Sequence, residues 1–368
     1  MAKQDEGLPN TIIPHDEKQV KEGALIQEAI NQGVGSFQPD LAFENLTKNY
    51  KNAKRLYGET IIRELTGYSP DYVEKNINIP EFKRHLKQQI KENADKLKDE
   101  GVINKDYVVT DKGLKLATIS LLTEELDQLS RKGIGEPIKH LQNPYGDKKD
   151  YEQYSKGRYR DVALKQSVKT AARRMHSELQ PEDLKKFTRE AKGHHTIIYA
   201  MDCSGSMRGE KLKTSKKAGV ALAYKAIEDR NKVGLIVFHS DVKSIIEPCR
   251  DFSRILNELS KARAGMETDL VKVMRASVTL FGNDKSKHLV LLTDALPTKG
   301  TEPENDTIKA ASMARNAGIT ISLVGIQLDK KGEELAKRIV EVGEGRLYLV
   351  KDLMGVDSVV LEDYYSLR

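Results

Sequence analysis

Five oxygen-bearing side chains, spread over three separated stretches of this 368-residue chain, have the types and spacing of a cation site. In DCSGSM, Asp202, Ser204 and Ser206 sit at alternate positions directly after the apolar run TIIYAM (196–201). Steps of two let the three side chains converge as a strand gives way to a helix, and Gly205 allows the tight fold between them. Two further loops are expected at the same rim: AGMETDL (264–270) opens a helix and presents Thr268, and LLTDALPT (291–298) leaves another strand and presents Asp294. Two carboxylates and three hydroxyls are hard donors of modest total charge. That set suits Mg²⁺, which prefers octahedral oxygen ligation and keeps several waters, with Mn²⁺ as its substitute. It does not enclose the ion, so a carboxylate from another molecule is the natural occupant of the open position. A purely structural use of the same residues is the alternative, with hydroxyls capping a helix start and aspartates accepting from backbone amides.

The elements that must hold these residues are written in the second half of the chain. TIIYAM, VGLIVF (233–238), HLVLL (288–292), ITISLVGI (319–326) and RLYLV (346–350) are short continuous apolar runs separated by segments of helical period. Such runs predict parallel strands covered on both faces. VKSIIEP follows VGLIVF after only HSD, too soon for a crossover helix, so that pair is expected as an antiparallel hairpin. The predicted fold class is α/β: a doubly wound, mostly parallel sheet with one antiparallel edge strand over residues 190–352, followed by a C-terminal tail at 353–368. In such a sheet, ligands bind outside the carboxyl ends of the strands, where Asp202 falls. The first helix, from about Gly209 to Asp229, carries Gly219, Ala223, Ala226 and Ile227 on one face, a stripe of small residues for close approach to the sheet.

Before that domain the chain is mainly helical and charged (1–134). In LKDEGVINKDYVVTDKGLKLATISLL (97–122), Gly101 fits a helix C-cap, VI and YVV fit two short strands around Asn104–Asp106, and Thr110 fits the cap of the next helix. Together with IPEFKRHLKQQIKENADKL, this makes a winged-helix-like segment of about 60–122. Residues 135–189 read as an irregular connector that ends in a basic helix with Lys165, Lys169, Arg173 and Arg174.

Composition excludes several classes. Lys and Arg total 61 against 55 Asp and Glu, a net charge of +6 that does not by itself imply nucleic acid. Two cysteines, Cys203 and Cys249, argue against a disulfide framework and for a reducing compartment. The first residues lack an apolar stretch of signal-peptide length, and no run approaches the ~20 residues of a membrane span, so a cytoplasmic location is expected. The sequence contains neither a G-x-x-x-x-G-K-[ST] phosphate loop nor a G-x-S-x-G elbow. His194 and His195 lack partners at zinc-ligand spacing, and Cys203 is expected to point away from the oxygen cluster and pack.

DCSGSM, Thr268 in GMETDL and Asp294 in TDALPT, in that order and on this pattern of strands, resemble the metal-ion-dependent adhesion site of von Willebrand factor A domains. The resemblance implies that Ser204, Ser206 and Thr268 are direct ligands and that Asp202 and Asp294 act largely through water. The sequence departs from the family at Glu267, where Gly usually precedes the threonine, and at Ala295, where Gly is frequent. The helical first half and GRYRDVALKQSVKTAARR are similar to intracellular bacterial and archaeal proteins of this family that work with MoxR-type AAA+ ATPases. The resemblance thus implies a non-enzymatic adaptor that grips a partner's Asp or Glu through Mg²⁺, in complex assembly or metal-cofactor insertion. Two other classes are a nucleic-acid-associated protein using residues 60–122 and, with no obvious general base to serve it, a metal-dependent phosphoryl hydrolase.

Overall fold

The computed structural model describes residues 17–131, 148–154, 162–174, 176, 178–189, 195–265, 267–294, 297 and 302–367. His194, Ala295 and the connector at 135–147 lie outside the described residues. The chain divides into a large unit, residues 1–133 with 195–368, and a small one, residues 134–194.

Among the described residues, the first part of the large unit carries the helices α1 (Glu17–Gln32), α2 (Pro39–Lys48), α3 (Tyr50–Thr66), α4 (Pro70–Asn76), α5 (Pro80–Asp99) and α6 (Asp111–Arg131). Proline opens α2, α4 and α5, at the helix position where a missing N–H costs nothing. Ile26, Ile30, Leu46, Ile61, Ile62, Leu86 and Ile90 form their common core. Between α5 and α6 the chain makes a minimal hairpin with one bridge, Ile103 to Val109, and Val108 also bridges to Ser36. The Asn104 side chain accepts from the Asp106 and Val108 N–H groups, both at 2.9 Å. Thr110 accepts from the Gly113 N–H at 3.2 Å, as expected of a cap.

The small unit carries an antiparallel pair, β1 (Lys148–Gln153) and β2 (Lys185–Arg189), with α7 (Leu164–Arg173) between them in sequence. α7 lies where the basic helix is expected, whereas the strand pair is not expected from sequence, because KKDYEQ shows no apolar run to mark a strand. Buried Asp183 accepts from Arg174 at 3.2 Å and from the Gln180 N–H at 3.1 Å, with His176 Nδ1 at 2.7 Å.

The rest of the large unit runs β3 (Thr196–Asp202), α8 (Glu210–Glu228), β4 (Lys232–Phe238), β5 (Val242–Cys249), α9 (Phe252–Lys261), α10 (Leu270–Phe281), β6 (Lys287–Thr293), α11 (Pro303–Asn316), β7 (Ile319–Ile326), α12 (Lys330–Gly343), β8 (Glu344–Val350) and α13 (Val356–Tyr365). The sheet order is β5-β4-β3-β6-β7-β8, and only β4–β5 is antiparallel. This is the predicted fold, with the hairpin strand at the edge. Alternation along β3 splits the core in two. Tyr199 and Met201 face α8, α9 and α13, whereas Ile198 and Ala200 face α10, α11 and α12.

Gly219 on α8 is the close approach the small-residue stripe predicts: a Cβ there would lie 2.7 Å from the Tyr199 ring. The helix is nevertheless buried on more than the sheet side, because α1, α6, α9 and α13 also pack on it. Ser215, Lys216 and Ala218 are therefore buried too. The C-terminal segment is helical and contributes Val356, Val360 and Tyr364 to the core. It is pinned by Asp363, which accepts from Ser322 at 2.7 Å and meets His288 Nε2 at 2.7 Å, all three buried.

Candidate metal centre

The site forms where β3 and β6 end. Asp202 is the last residue of β3 and is fully buried. Its Oδ1 accepts from the Ser204 N–H at 2.7 Å and its Oδ2 from the Thr293 hydroxyl at 2.6 Å. The chain then turns through a single 3₁₀ turn at Gly205–Met207 into α8, and Met207 anchors that turn in the core. The turn brings Ser204 Oγ to 3.1 Å from Ser206 Oγ, and Ser206 donates to Asp294 Oδ1 at 2.7 Å. A continuous chain of contacts therefore joins four of the five sequence-identified residues: Asp202, Ser204, Ser206 and Asp294.

Thr268 is buried in the neighbouring loop. The loop itself is fastened to the same end of the sheet. The Gly265 N–H donates to Cys203 O at 2.5 Å and the Asp269 N–H to His239 O at 3.0 Å. Gly265 is required there, since a Cβ would lie 2.4 Å from the His239 ring. Glu267, the departure from the family pattern, is exposed. Cys203 packs into the core, and burial pushes its thiol up, away from the reactive thiolate.

Two residues that sequence reasoning passed over complete the electrostatics. Lys211, on the first turn of α8, places Nζ 2.7 Å from Asp294 Oδ2. Thr293 was legible only as the neighbour of Asp294. Burial pushes the Asp202 carboxyl up to about 6. The Thr293 and Ser204 hydrogen bonds oppose that rise, and the Asp294 charge adds to it. A buried carboxylate facing a second one is an arrangement that an added cation relieves.

The donor chemistry fits a hard divalent ion, since every candidate ligand atom is oxygen. Among the described residues no group of three His, Cys, Asp or Glu gathers as a metal cluster.

Helix α1 braces this loop. The Asn31 carbonyl, in the last turn of α1, accepts from the Gly209 N–H at 2.9 Å, which satisfies a helix-end carbonyl. Asn31 Oδ1 accepts from Lys216 Nζ at 2.8 Å, and Lys216 also donates to Ser260 O at 3.2 Å, at the end of α9. Ser260 Oγ lies 2.6 Å from Thr118 Oγ1 on α6. Lys216 is fully buried, and burial brings its ammonium down to about 7.

Residues 197–296 match the family model of the von Willebrand factor type A domain. Together with the observed sheet, this identifies a von Willebrand factor type A domain within the chain. An uncharacterized protein of Mycobacterium tuberculosis is 24% identical over 151 residues, which cover 38% of this chain and 24% of that protein. The match thus spans about a quarter of the relative's length. Among solved structures, the chain is similar to a von Willebrand factor type A protein from Catenulispora acidiphila (17% identity, 46% of this chain and 42% of that one, TM-score 0.40). It is similar also to the SpRpn10 VWA domain (12%, 46% and 94%, TM-score 0.40) and to the pilus adhesin SpaC from Lactobacillus rhamnosus GG (15%, 50% and 32%, TM-score 0.41). Domains of this type are commonly protein–protein interaction modules. No helix among the described residues is long and apolar enough to cross a membrane.

Proposed function

We propose that this protein is a non-enzymatic, metal-dependent interaction module that grips an Asp or Glu of a protein partner through Mg²⁺, with Mn²⁺ able to substitute. Ser204, Ser206 and Thr268 hold the ion directly, and Asp202 and Asp294 hold it largely through water. The bound cation supplies a directional, charge-dense acceptor for one carboxylate, so a single acidic side chain dominates recognition. The observation that carries this reading is the run of contacts Asp202–Ser204–Ser206–Asp294 at the carboxyl end of the sheet, with the Lys211 ammonium on Asp294. In the cation-free protein Lys211 offsets part of the carboxylate charge. The resemblance to intracellular family members extends the proposal to an adaptor for a MoxR-type AAA+ ATPase in the cytoplasm. The chain carries no phosphate loop of its own, so any energy-driven step belongs to the partner.

The test is capture of partners from native lysate on tagged protein in Mg²⁺, in EDTA, and with Asp202→Ala plus Ser204→Ala. A protein retained only in the first sample, with an AAA+ ATPase among such proteins, is the expected result. An identical set in all three samples would remove the ion from partner recognition.

Two further outcomes follow from the electrostatics. Protons compete with the ion for Asp202, so Mg²⁺ affinity should rise steeply as pH passes upward through about 6 and level off above it. Calorimetric titrations at pH 5.5, 6.5 and 7.5 check this. A flat profile would place Asp202 outside the site. Lys211→Met removes a cation that competes for Asp294. It should tighten Mg²⁺ binding roughly 5-fold, an effect of about 1 kcal/mol, and an unchanged affinity would separate Lys211 from the ion.

A further inference from the structure

The metal-site reading leaves the N-terminal helices with no ligand of their own, yet their charge is segregated. Over residues 83–91, KRHLKQQIK, the chain carries four Lys or Arg and no acid. Ile90 and Leu86 turn inward, so Arg84, Lys87 and Lys91 recur at helical spacing on the exposed side of α5. At 1.5 Å per residue they span about 10 Å. Lys83, Arg84, Lys87 and Lys91 line a groove of about 420 Å³ against Phe43 on α2, with no acidic residue in its wall. A second groove of about 500 Å³ shares Lys87 and Lys91 and runs on to Lys105 at the hairpin turn, with Asp40 and Asp106 also in its wall. Lys87 pairs with Asp40 at 3.0 Å, across an exposed bridge that is easily exchanged. Lys83 and Arg84 make no ion pair among the described residues.

The backbone order places these cations where a duplex reader needs them. Ser36 bridges to Val108, Val108 belongs to the hairpin that follows α5, and Lys105 lies at that hairpin's turn. A helix with a cationic exposed face can enter the major groove of B-form DNA while Lys105, in the adjoining groove, meets the backbone. That groove is about 12 Å wide and admits a helix, whereas the A-form major groove of RNA does not.

We propose that α5 and the Asn104–Tyr107 turn form a docking surface for double-stranded DNA. Affinity comes from phosphate contacts by Lys83, Arg84, Lys87, Lys91 and Lys105. The surface works independently of the metal centre.

The experiment is fluorescence anisotropy of a labelled DNA duplex of about 20 base pairs with the full chain in EDTA and about 50 mM salt, then at rising salt. Binding should weaken with a log–log salt slope of about −4, as four to five phosphate contacts require. Replacing Lys83, Arg84, Lys87 and Lys91 together by Gln should cut affinity at least ~10-fold with unchanged circular dichroism. Lys165→Gln with Lys169→Gln on α7 should leave it unaltered. No binding at low salt, equal binding by the fourfold variant, preference for an RNA duplex, or equally effective competition by a polyglutamate peptide would each overturn the proposal. Failure here leaves the metal-bridged reading standing, since every arm is read in EDTA.

Discussion

Asp202→Asn is expected to make the metal-free protein more stable while abolishing Mg²⁺ binding. Asp202 is fully buried, and burial holds its carboxyl at about 6 rather than near the ordinary 3.8. A raised carboxyl favours the folded state below the unfolded pKa and loses that advantage as pH rises through the folded one. At pH 7.5 the wild-type protein therefore bears nearly the whole cost of an ionised buried group. Roughly two pKa units correspond to about 3 kcal/mol as an upper figure. Asparagine keeps an oxygen for the Ser204 N–H, so about 1–3 kcal/mol of added stability at pH 7.5 in EDTA is expected, shrinking to nothing near pH 4. With Mg²⁺ in large excess the order should close or reverse, because only the wild type gains RT ln(1 + [Mg²⁺]/Kd), about 2.7 kcal/mol at a hundredfold excess over Kd. Urea denaturation of both proteins in EDTA and in Mg²⁺ reads all of this. A variant destabilised in EDTA would mean that Asp202 is a structural cap rather than a poised ligand.

The second large effect belongs to the joint between the N-terminal helices and the metal loop. Lys216 has a side-chain acceptor in Asn31 and a backbone acceptor in Ser260, and it is fully buried, with the charges of Arg263 and Glu28 acting on it as well. Asn31→Leu leaves that buried amine short of a partner at the carbonyl end of α1, where the helix dipole also favours a cation. A loss of about 3 kcal/mol at pH 7 is expected. Because burial lowers the lysine to about 7, the unfolded chain binds the extra proton between about 7 and 10. Stability should therefore rise with pH across that window, and the Asn31→Leu deficit should shrink as the amine becomes neutral. Lys216→Met should abolish the rise. If hydrogen exchange at Ser204–Gly209 also quickens in Asn31→Leu, the first helix sets the rigidity of the loop. Wild-type exchange rates there, with full stability, would show that the joint is dispensable.

The strands were legible because β3, β4, β6 and β7 are buried on both faces, and burial on both faces writes an unbroken apolar run. The hairpin was legible because HSD leaves no room for a crossover. The oxygen donors on β3 and β6 were legible because a strand end fixes where the next residues go, and Asp202 through Ser206 is only five residues. What sequence could not show is who touches whom across distance. Lys216 reads as one more cation in KLKTSKK, yet it is buried because helices more than a hundred residues earlier close over α8. Lys211 lies in the same run and reaches Asp294 instead. The difference is five residues, about 1.4 turns of helix, visible only once both coverings of α8 are known. The β1–β2 pair escaped notice for the opposite reason: its strands are charged and carry no apolar alternation.

The most direct test of the metal-centre account is an electron paramagnetic resonance titration of Mn²⁺ into the wild type and into Asp202→Ala plus Ser204→Ala, at pH 7.5 with matched circular dichroism. Stoichiometric binding by the wild type, displaced by excess Mg²⁺ and lost in the variant, is the expected result. Equal binding by both proteins, or no binding by either, would contradict it and return these side chains to a role in capping the start of α8.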